Sequence, residues 1–245
     1  MEERMNIFKD RDVLVVGLAR SGAGAASLLS VLGSRVTVTD RKSADSLARQ
    51  IEKLPQQVRV VAGGNPAELF GSADLIVVSP GVPLDIPPLK HAREKGVPVI
   101  AELELAYQAL RSDDLRGGQL FSPSVQFIGI TGTNGKSTTT TLVDLMMKRS
   151  GYRTLLGGNI GNALTDEIFT RIRDAVPGPA VDHIVAEISS FQLEATEMFR
   201  PSVAAILNIT PDHLDRYDSM EDYSNAKAAI FKNQLAGDRL ILNAD

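Results

Sequence analysis

Residues 129–141 read Gly-Ile-Thr-Gly-Thr-Asn-Gly-Lys-Ser-Thr-Thr-Thr-Thr. An apolar run at 126–130 comes before the loop, and a helical pattern over 136–149 follows it and ends at Gly151. Strand, glycine-rich turn, then Lys-Ser opening a helix is the setting of a phosphate-binding loop. The general pattern G-x-x-x-x-G-K-[ST] asks for glycine where this chain has Ile130. The remaining chemistry still suits an anion. Gly132 and Gly135 permit positive φ and a close backbone approach. Successive backbone N–H groups can then point into a concavity at the positive end of a helix. Lys136 is placed to reach outer phosphates, and the hydroxyl of Ser137 or Thr138 to meet Mg²⁺. The plainer alternative is a βα turn with glycines for packing. The Lys-Ser pair and four successive threonines, poor formers of helix interior, argue against it.

Outward from this loop the chain alternates short Val/Ile/Leu runs with helical patterns. Strands are expected at 12–17, 35–40, 58–62, 75–79 and 97–100, with helices near 22–32, 43–53, 89–95 and 102–111. Such continuous apolar strands indicate parallel sheets covered on both faces. The stretch RGGQLFSPS at 116–124 breaks the rhythm and is read as a domain boundary. Strands resume at 126–130, 154–156, 183–188, 203–209 and 239–243. The expected fold is α/β with mostly parallel sheets: a Rossmann-like domain over 1–120, then a P-loop-type ATPase domain over 125–245.

Bulk properties narrow the function. The 245 residues are 43% hydrophobic and 23% charged, with a formal net charge of −4. Dispersed charge of that sign argues against nucleic acid or an anionic membrane as partner. The absence of cysteine excludes disulfides and thiolate metal sites. No apolar run approaches the ~20 residues that span a bilayer, and the charged N-terminus does not read as a signal peptide. A cytoplasmic monomer is expected.

Three further places carry chemistry. Gly17-Leu-Ala-Arg-Ser-Gly22-Ala-Gly24 follows the first strand, with Ala19 where a dinucleotide fingerprint has glycine, and Asp40 ends the second strand. A pyrophosphate near Gly22 and a hydroxyl near Asp40 are reasonable, and so is a doubly wound domain with no ligand. Glu187 ends an apolar run and reads as a metal-binding acid or a structural carboxylate. Residues 208–217, NITPDHLDRY, gather Asp212, His213 and Asp215 after another strand. On sequence alone Lys227 reads as a solvated lysine, with nothing to prefer it over Lys232.

Together these motifs resemble the Mur ligase family, ATP-dependent enzymes that add amino acids during peptidoglycan synthesis. The resemblance is carried by GITGTNGKST at 129–138, GGNIG at 157–161, EISSFQLE at 187–194, NITPDHLDRY at 208–217 and AKAAIF at 226–231. The first half adds GLARSG at 17–22, TDR at 39–41 and SPGVP at 79–83. The family loop is G-x-T-G-T-[NK]-G-K-[ST], so Ile130 fits it. Within the family, the run after Glu187 is most like the branch that adds D-glutamate.

The resemblance implies an amide ligase that joins D-glutamate to UDP-N-acetylmuramoyl-L-alanine through an acyl phosphate. ATP would bind at Gly132, Thr133, Asn134, Gly135, Lys136, Ser137 and Thr138. Mg²⁺ would be held by Ser137, Glu187, His213 and a carbamylated Lys227. Lys136, Glu187, His213 and Lys227 would form the catalytic set. Arg20, Ser21, Asp40, Arg41, Gly81, Asn159 and His213 would contact the UDP-substrate. It further implies a third, amino-acid-binding domain that this chain lacks. Another ligase of the family, a folylpolyglutamate-synthetase-like enzyme, or a dinucleotide module joined to a P-loop NTPase are the alternative readings.

Overall fold

The computed structural model describes residues 7–112, 115, 120–174 and 178–244. The first half builds β1 (Asp12–Val16), α1 (Arg20–Val31), β2 (Arg35–Asp40), α2 (Ala44–Ile51), β3 (Arg59–Ala62), α3 (Ala67–Gly71), β4 (Leu75–Val78), α4 (Pro87–Glu94) and β5 (Val99–Ala101). These strands form one sheet in the order β3-β2-β1-β4-β5, each pairing parallel. The strand order reverses beside β1, and ligands of open α/β sheets bind outside the strand ends at such a switch point.

Helix α5 (Glu102–Ala109) ends the first half, and the second half builds β6 (Phe121–Thr131), α6 (Lys136–Arg149), β7 (Thr154–Gly158), α7 (Leu164–Arg173), β8 (Val181–Glu187), α8 (Ser190–Leu193), β9 (Val203–Ile206), α9 (Met220–Ala228) and β10 (Arg239–Leu242). Its sheet runs β10-β9-β6-β8-β7, again parallel. The loop-bearing strand β6 therefore lies between β8 and β9. The carboxyl end of β8 carries Glu187, and the segment after β9 carries Asn208. The mostly parallel α/β class expected from the alternating runs is what the chain adopts.

Some boundaries differ from the sequence reading. Residues 116–119 of the expected break lie outside the described residues. Phe121–Ser124, expected as irregular, belong to β6: Phe121 pairs with Val181, and the register shifts before Gln126 pairs with His183. Pro123 is tolerated at that irregularity, where no regular ladder bond is required of it.

The core runs through both halves. Buried Leu28 and Leu29 of α1, Leu103 and Leu105 of α5, Leu164 and Ile168 of α7, and Phe127 of β6 belong to one apolar cluster. Burying each such large side chain contributes roughly 1.5–3 kcal/mol. Close approach of α1 to α7 depends on Gly24, where an added Cβ would lie 2.8 Å from Asp166 N and 2.9 Å from Thr165 Oγ1.

Two buried glutamates of α5 bind the second half, mostly through its backbone amides. Glu102 Oε1 accepts from Thr165 N at 2.8 Å and Thr165 Oγ1 at 2.7 Å. The Glu104 carboxylate accepts from the amides of Glu197, Met198 and Phe199 at 2.9–3.0 Å. Hydrogen bonds to a charged acceptor are the stronger kind, which suits a carboxylate removed from water. No helix among the described residues is long and apolar enough to cross a membrane.

Candidate active site between the two sheets

The loop after β6 has the geometry that its glycines suggest. Gly132 has φ 144° and Gly135 φ 81°. A Cβ at Gly132 would press to 3.1 Å from Leu207 Cβ and 3.2 Å from Asn208 O. The loop is fastened to the segment after β9. Thr133 N donates to Asn208 O at 2.9 Å, and Asn134 N to Asn208 Oδ1 at 2.8 Å. Asn208 Nδ2 returns a bond to Asn134 O at 3.1 Å. Asn134, Gly135, Ser137 and Thr138 are exposed at the mouth of α6. Lys136 folds back to donate from Nζ to Thr133 O at 2.7 Å, leaving its charge over the loop.

Glu187 ties this loop to the other half of the site. It is buried, at 2% exposure. Its Oε2 accepts from Ser137 Oγ at 2.7 Å, and its Oε1 from Asn159 Nδ2 at 2.6 Å. Asn159 N also donates to Glu187 O at 2.8 Å. Both side-chain partners are neutral, so the carboxylate keeps its charge uncompensated by them. Ser137 and Glu187 are hard oxygen donors of the kind Mg²⁺ takes, and the pair fits that ion. Among the described residues no group of three His, Asp or Glu side chains gathers as a metal cluster.

Lys227 overturns its reading as a solvated lysine. It is 2% exposed, and Nζ donates to Gly132 O at 2.9 Å beneath the loop. The ammonium lies 4.5 Å from the centre of the Tyr223 ring. Burial, followed by the nearby Lys136 charge, lowers its pKa to about 8, while Asp212 opposes the shift. Lys232, indistinguishable by composition, instead reaches Thr196 O. Tertiary packing alone separates the two lysines.

His213 lies in the exposed segment after β9 with φ 55°. Its ring is 4.9 Å from that of Phe191 and 3.5 Å, at Nε2, from Asp212 Oδ2. Of the expected metal set, the structure joins Ser137 to Glu187 directly. Lys227 stands under the loop, and His213 sits against α8.

A cleft of about 360 Å³ opens at the switch point of the first sheet, lined by Gly17, Arg20, Ser21, Asp40, Arg41 and Gly81 from that side and by Asn159 from the other. Arg20 Nη1 crosses it to Gly161 O at 2.6 Å. The Asp40 carboxylate organises its floor, accepting from Leu18 N at 2.7 Å and Lys42 N at 2.8 Å. Gly22 is obligatory, because a Cβ there would sit 1.8 Å from Gly17 O. The cleft also takes in Asn65, Ser79 and Gln192, which the sequence reading passed over. Ser79 Oγ donates to Gly17 O at 2.9 Å. Gln192 forms a capping box with Ser189, and the spacing S-x-x-Q was the available signal. Asn208, the fastener of the loop, was likewise legible only as part of its motif.

A phosphate loop on one parallel sheet, facing a ligand-sized cleft on another, defines a nucleotide-binding α/β protein of Rossmann-like and P-loop type. The chain belongs to the Mur ligase family. The family model for the Mur ligase middle domain matches residues 130–245, and that for the MurD-like N-terminal domain matches residues 11–101. A UDP-N-acetylmuramoylalanine–D-glutamate ligase of Citrifermentans bemidjiense is 44% identical over 97% of this chain and 48% of its own length. The enzyme of that name from Acidobacterium capsulatum is 47% identical over 97% of this chain and 48% of its own. The chain thus spans about half the length of these curated relatives. A solved UDP-N-acetylmuramate:L-alanyl-gamma-D-glutamyl-meso-diaminopimelate ligase from Neisseria meningitides superposes with TM-score 0.59 at 16% identity. It covers 96% of this chain and 72% of that one, a likeness of fold.

Proposed function

We propose that this chain forms the sugar-nucleotide and ATP sites of a cytoplasmic ligase that adds D-glutamate to UDP-N-acetylmuramoyl-L-alanine. One observation carries the reading. The buried Glu187 carboxylate bonds at once to Ser137 of the phosphate loop and to Asn159 at the rim of the cleft. The end of ATP that transfers a phosphoryl group and the carboxyl end of a substrate in the cleft would therefore meet at one charged group.

The chemistry follows from that meeting. A carboxylate is a poor electrophile, and transfer of the γ-phosphoryl group to it creates an acyl phosphate that an amine can attack. The loop amides and Lys136 would hold the β- and γ-phosphates. Ser137 and Glu187 would hold Mg²⁺, which supplies charge neutralisation when bound. His213 and Lys227, the latter as its carbamate, would complete the metal-binding set. A lysine whose pKa is lowered to about 8 offers more free amine to CO₂ than an exposed one. Arg20, Ser21, Arg41 and Gly81 would take the UDP end, with Asp40 holding the turn that shapes it. Positioning and fixed charge would supply most of the rate.

Calorimetric titration with UDP-N-acetylmuramoyl-L-alanine and, separately, with NAD tests the reading. Saturable binding of the sugar nucleotide is expected. Tight binding of NAD without the sugar nucleotide would overturn it in favour of a dinucleotide module.

A further inference from the structure

Glu194 closes the run Glu187-Ile-Ser-Ser-Phe-Gln-Leu-Glu194, and the proposed chemistry leaves it without a role. It stands immediately after α8, with its side chain 17% exposed. Both of its oxygens reach the segment that carries His213. Tyr217 Oη donates to Glu194 Oε1 at 2.6 Å, and Arg216 Nη2 to Oε2 at 2.8 Å. The backbone amides of Arg216 and Tyr217 donate in turn to His213 O at 2.9 and 3.1 Å. One tight turn therefore joins the anchored residues to the histidine.

The side chains above that turn pack around Phe191. The Arg216 guanidinium lies 4.6 Å from its ring centre, the Tyr217 ring stacks on it at 5.9 Å, and the His213 ring meets it at 4.9 Å. Tyr223 closes the group, 5.2 Å from Tyr217 and 6.2 Å from His213. His213 has φ 55°, a conformation costly for a residue with a Cβ and kept only where its surroundings over-determine it. An exposed ion pair would supply little toward that. This pair is mostly buried, and a charge-assisted O–H···O⁻ bond reinforces it.

We propose that Glu194 is a positioning residue: by gripping Arg216 and Tyr217 it holds the 213–217 turn, and with it the His213 imidazole, against Phe191 at the edge of the active site. Its bearing on catalysis rests on the site role given to His213 above.

The chain has three histidines, His91, His183 and His213, so each imidazole Cε1–H resonance can be assigned with His91→Gln and His183→Gln variants. Spectra of Glu194→Ala, Glu194→Gln and Tyr217→Phe are compared with wild type, without ligand. In Glu194→Ala the His213 resonance is expected to lose its ring-current shift and move toward the position of a free imidazole, while His91 and His183 stay in place. Glu194→Gln and Tyr217→Phe, which each weaken one arm of the grip, move it less and in the same direction. Should Glu194→Ala not fold, Tyr217→Phe decides by the same criterion. A His213 resonance that stays at its wild-type position in the folded variants overturns the proposal. Because the spectra are read without ligand, that failure is distinct from a failure of sugar-nucleotide binding.

Discussion

Ser137 and Glu187 stand 50 residues apart in sequence and meet at 2.7 Å, hydroxyl to carboxylate, where β6 and β8 end side by side. The parallel pairing of Ile130 with Glu187 brings the acid level with the start of the loop. Glu187→Gln retains size and an acceptor while removing the charge. Affinity for Mg-ATP should fall by about 10–100-fold with the melting temperature nearly unchanged. Calorimetric titration measures it, and wild-type affinity in the variant would take Glu187 out of the metal site.

Lys227 makes stability depend on alkaline pH. Its pKa is about 8 in the fold against an ordinary 10.5. Between those values the unfolded chain keeps the proton and the folded chain gives it up. The unfolded state then binds more protons, so this group's contribution to stability rises with pH across that window. Urea unfolding at pH 8 and above should show the wild type gaining on Lys227→Met as pH increases. With ¹³C-bicarbonate, a carbamate resonance should appear in wild type and be missing in Lys227→Arg.

Gly22, buried in the first turn of α1, and Gly81, in the wall of the cleft, should respond differently to alanine. Gly22→Ala drives a methyl into Gly17 O and to 2.8 Å from Ser79 Oγ. It should destabilise the fold by about 1–3 kcal/mol and abolish binding in the cleft. A Cβ at Gly81 meets nothing within 4 Å, so Gly81→Ala should stay within about 0.5 kcal/mol of wild type. Thermal melts and sugar-nucleotide titrations distinguish the pair.

Glu102 links the two halves, and burial raises its pKa against the opposing bonds from Thr165. A raised pKa means that its stabilisation is complete below the ordinary carboxyl range and is lost as pH rises through the folded value. Glu102→Gln keeps the acceptor without a charge to bury and should hold stability, with less loss as pH rises than in wild type. Glu102→Ala leaves the Thr165 amide and hydroxyl unpaired and should cost about 1–3 kcal/mol. Chemical denaturation over a pH series checks both.

The alternation of Val/Ile/Leu runs with helical patterns was legible because a parallel strand is apolar on both faces, and β1 and β4 are buried almost throughout. The extent of β6 was not, because Ser122, Pro123 and Ser124 have turn composition, while strand pairing is decided by a distant partner, here Val181. Glycine positions in the phosphate loop were readable because positive φ and close approach restrict the residue type. Asn208 was not, because an amide side chain serves as a fastener only where another segment supplies its partner, here Asn134.

By itself the sequence determined the parallel α/β class, the loop at 129–138 and the order of the motifs. Each depends on local pattern: apolar runs, glycine at strained backbone positions, and Lys-Ser at a helix start. Tertiary structure alone decided that Lys227 is buried and Lys232 is not, that Glu187 bridges Ser137 and Asn159, and that Arg20 reaches across to Gly161. Charge, desolvation and hydrogen bonding depend on which groups lie within a few ångströms, and that is settled when the two sheets pack.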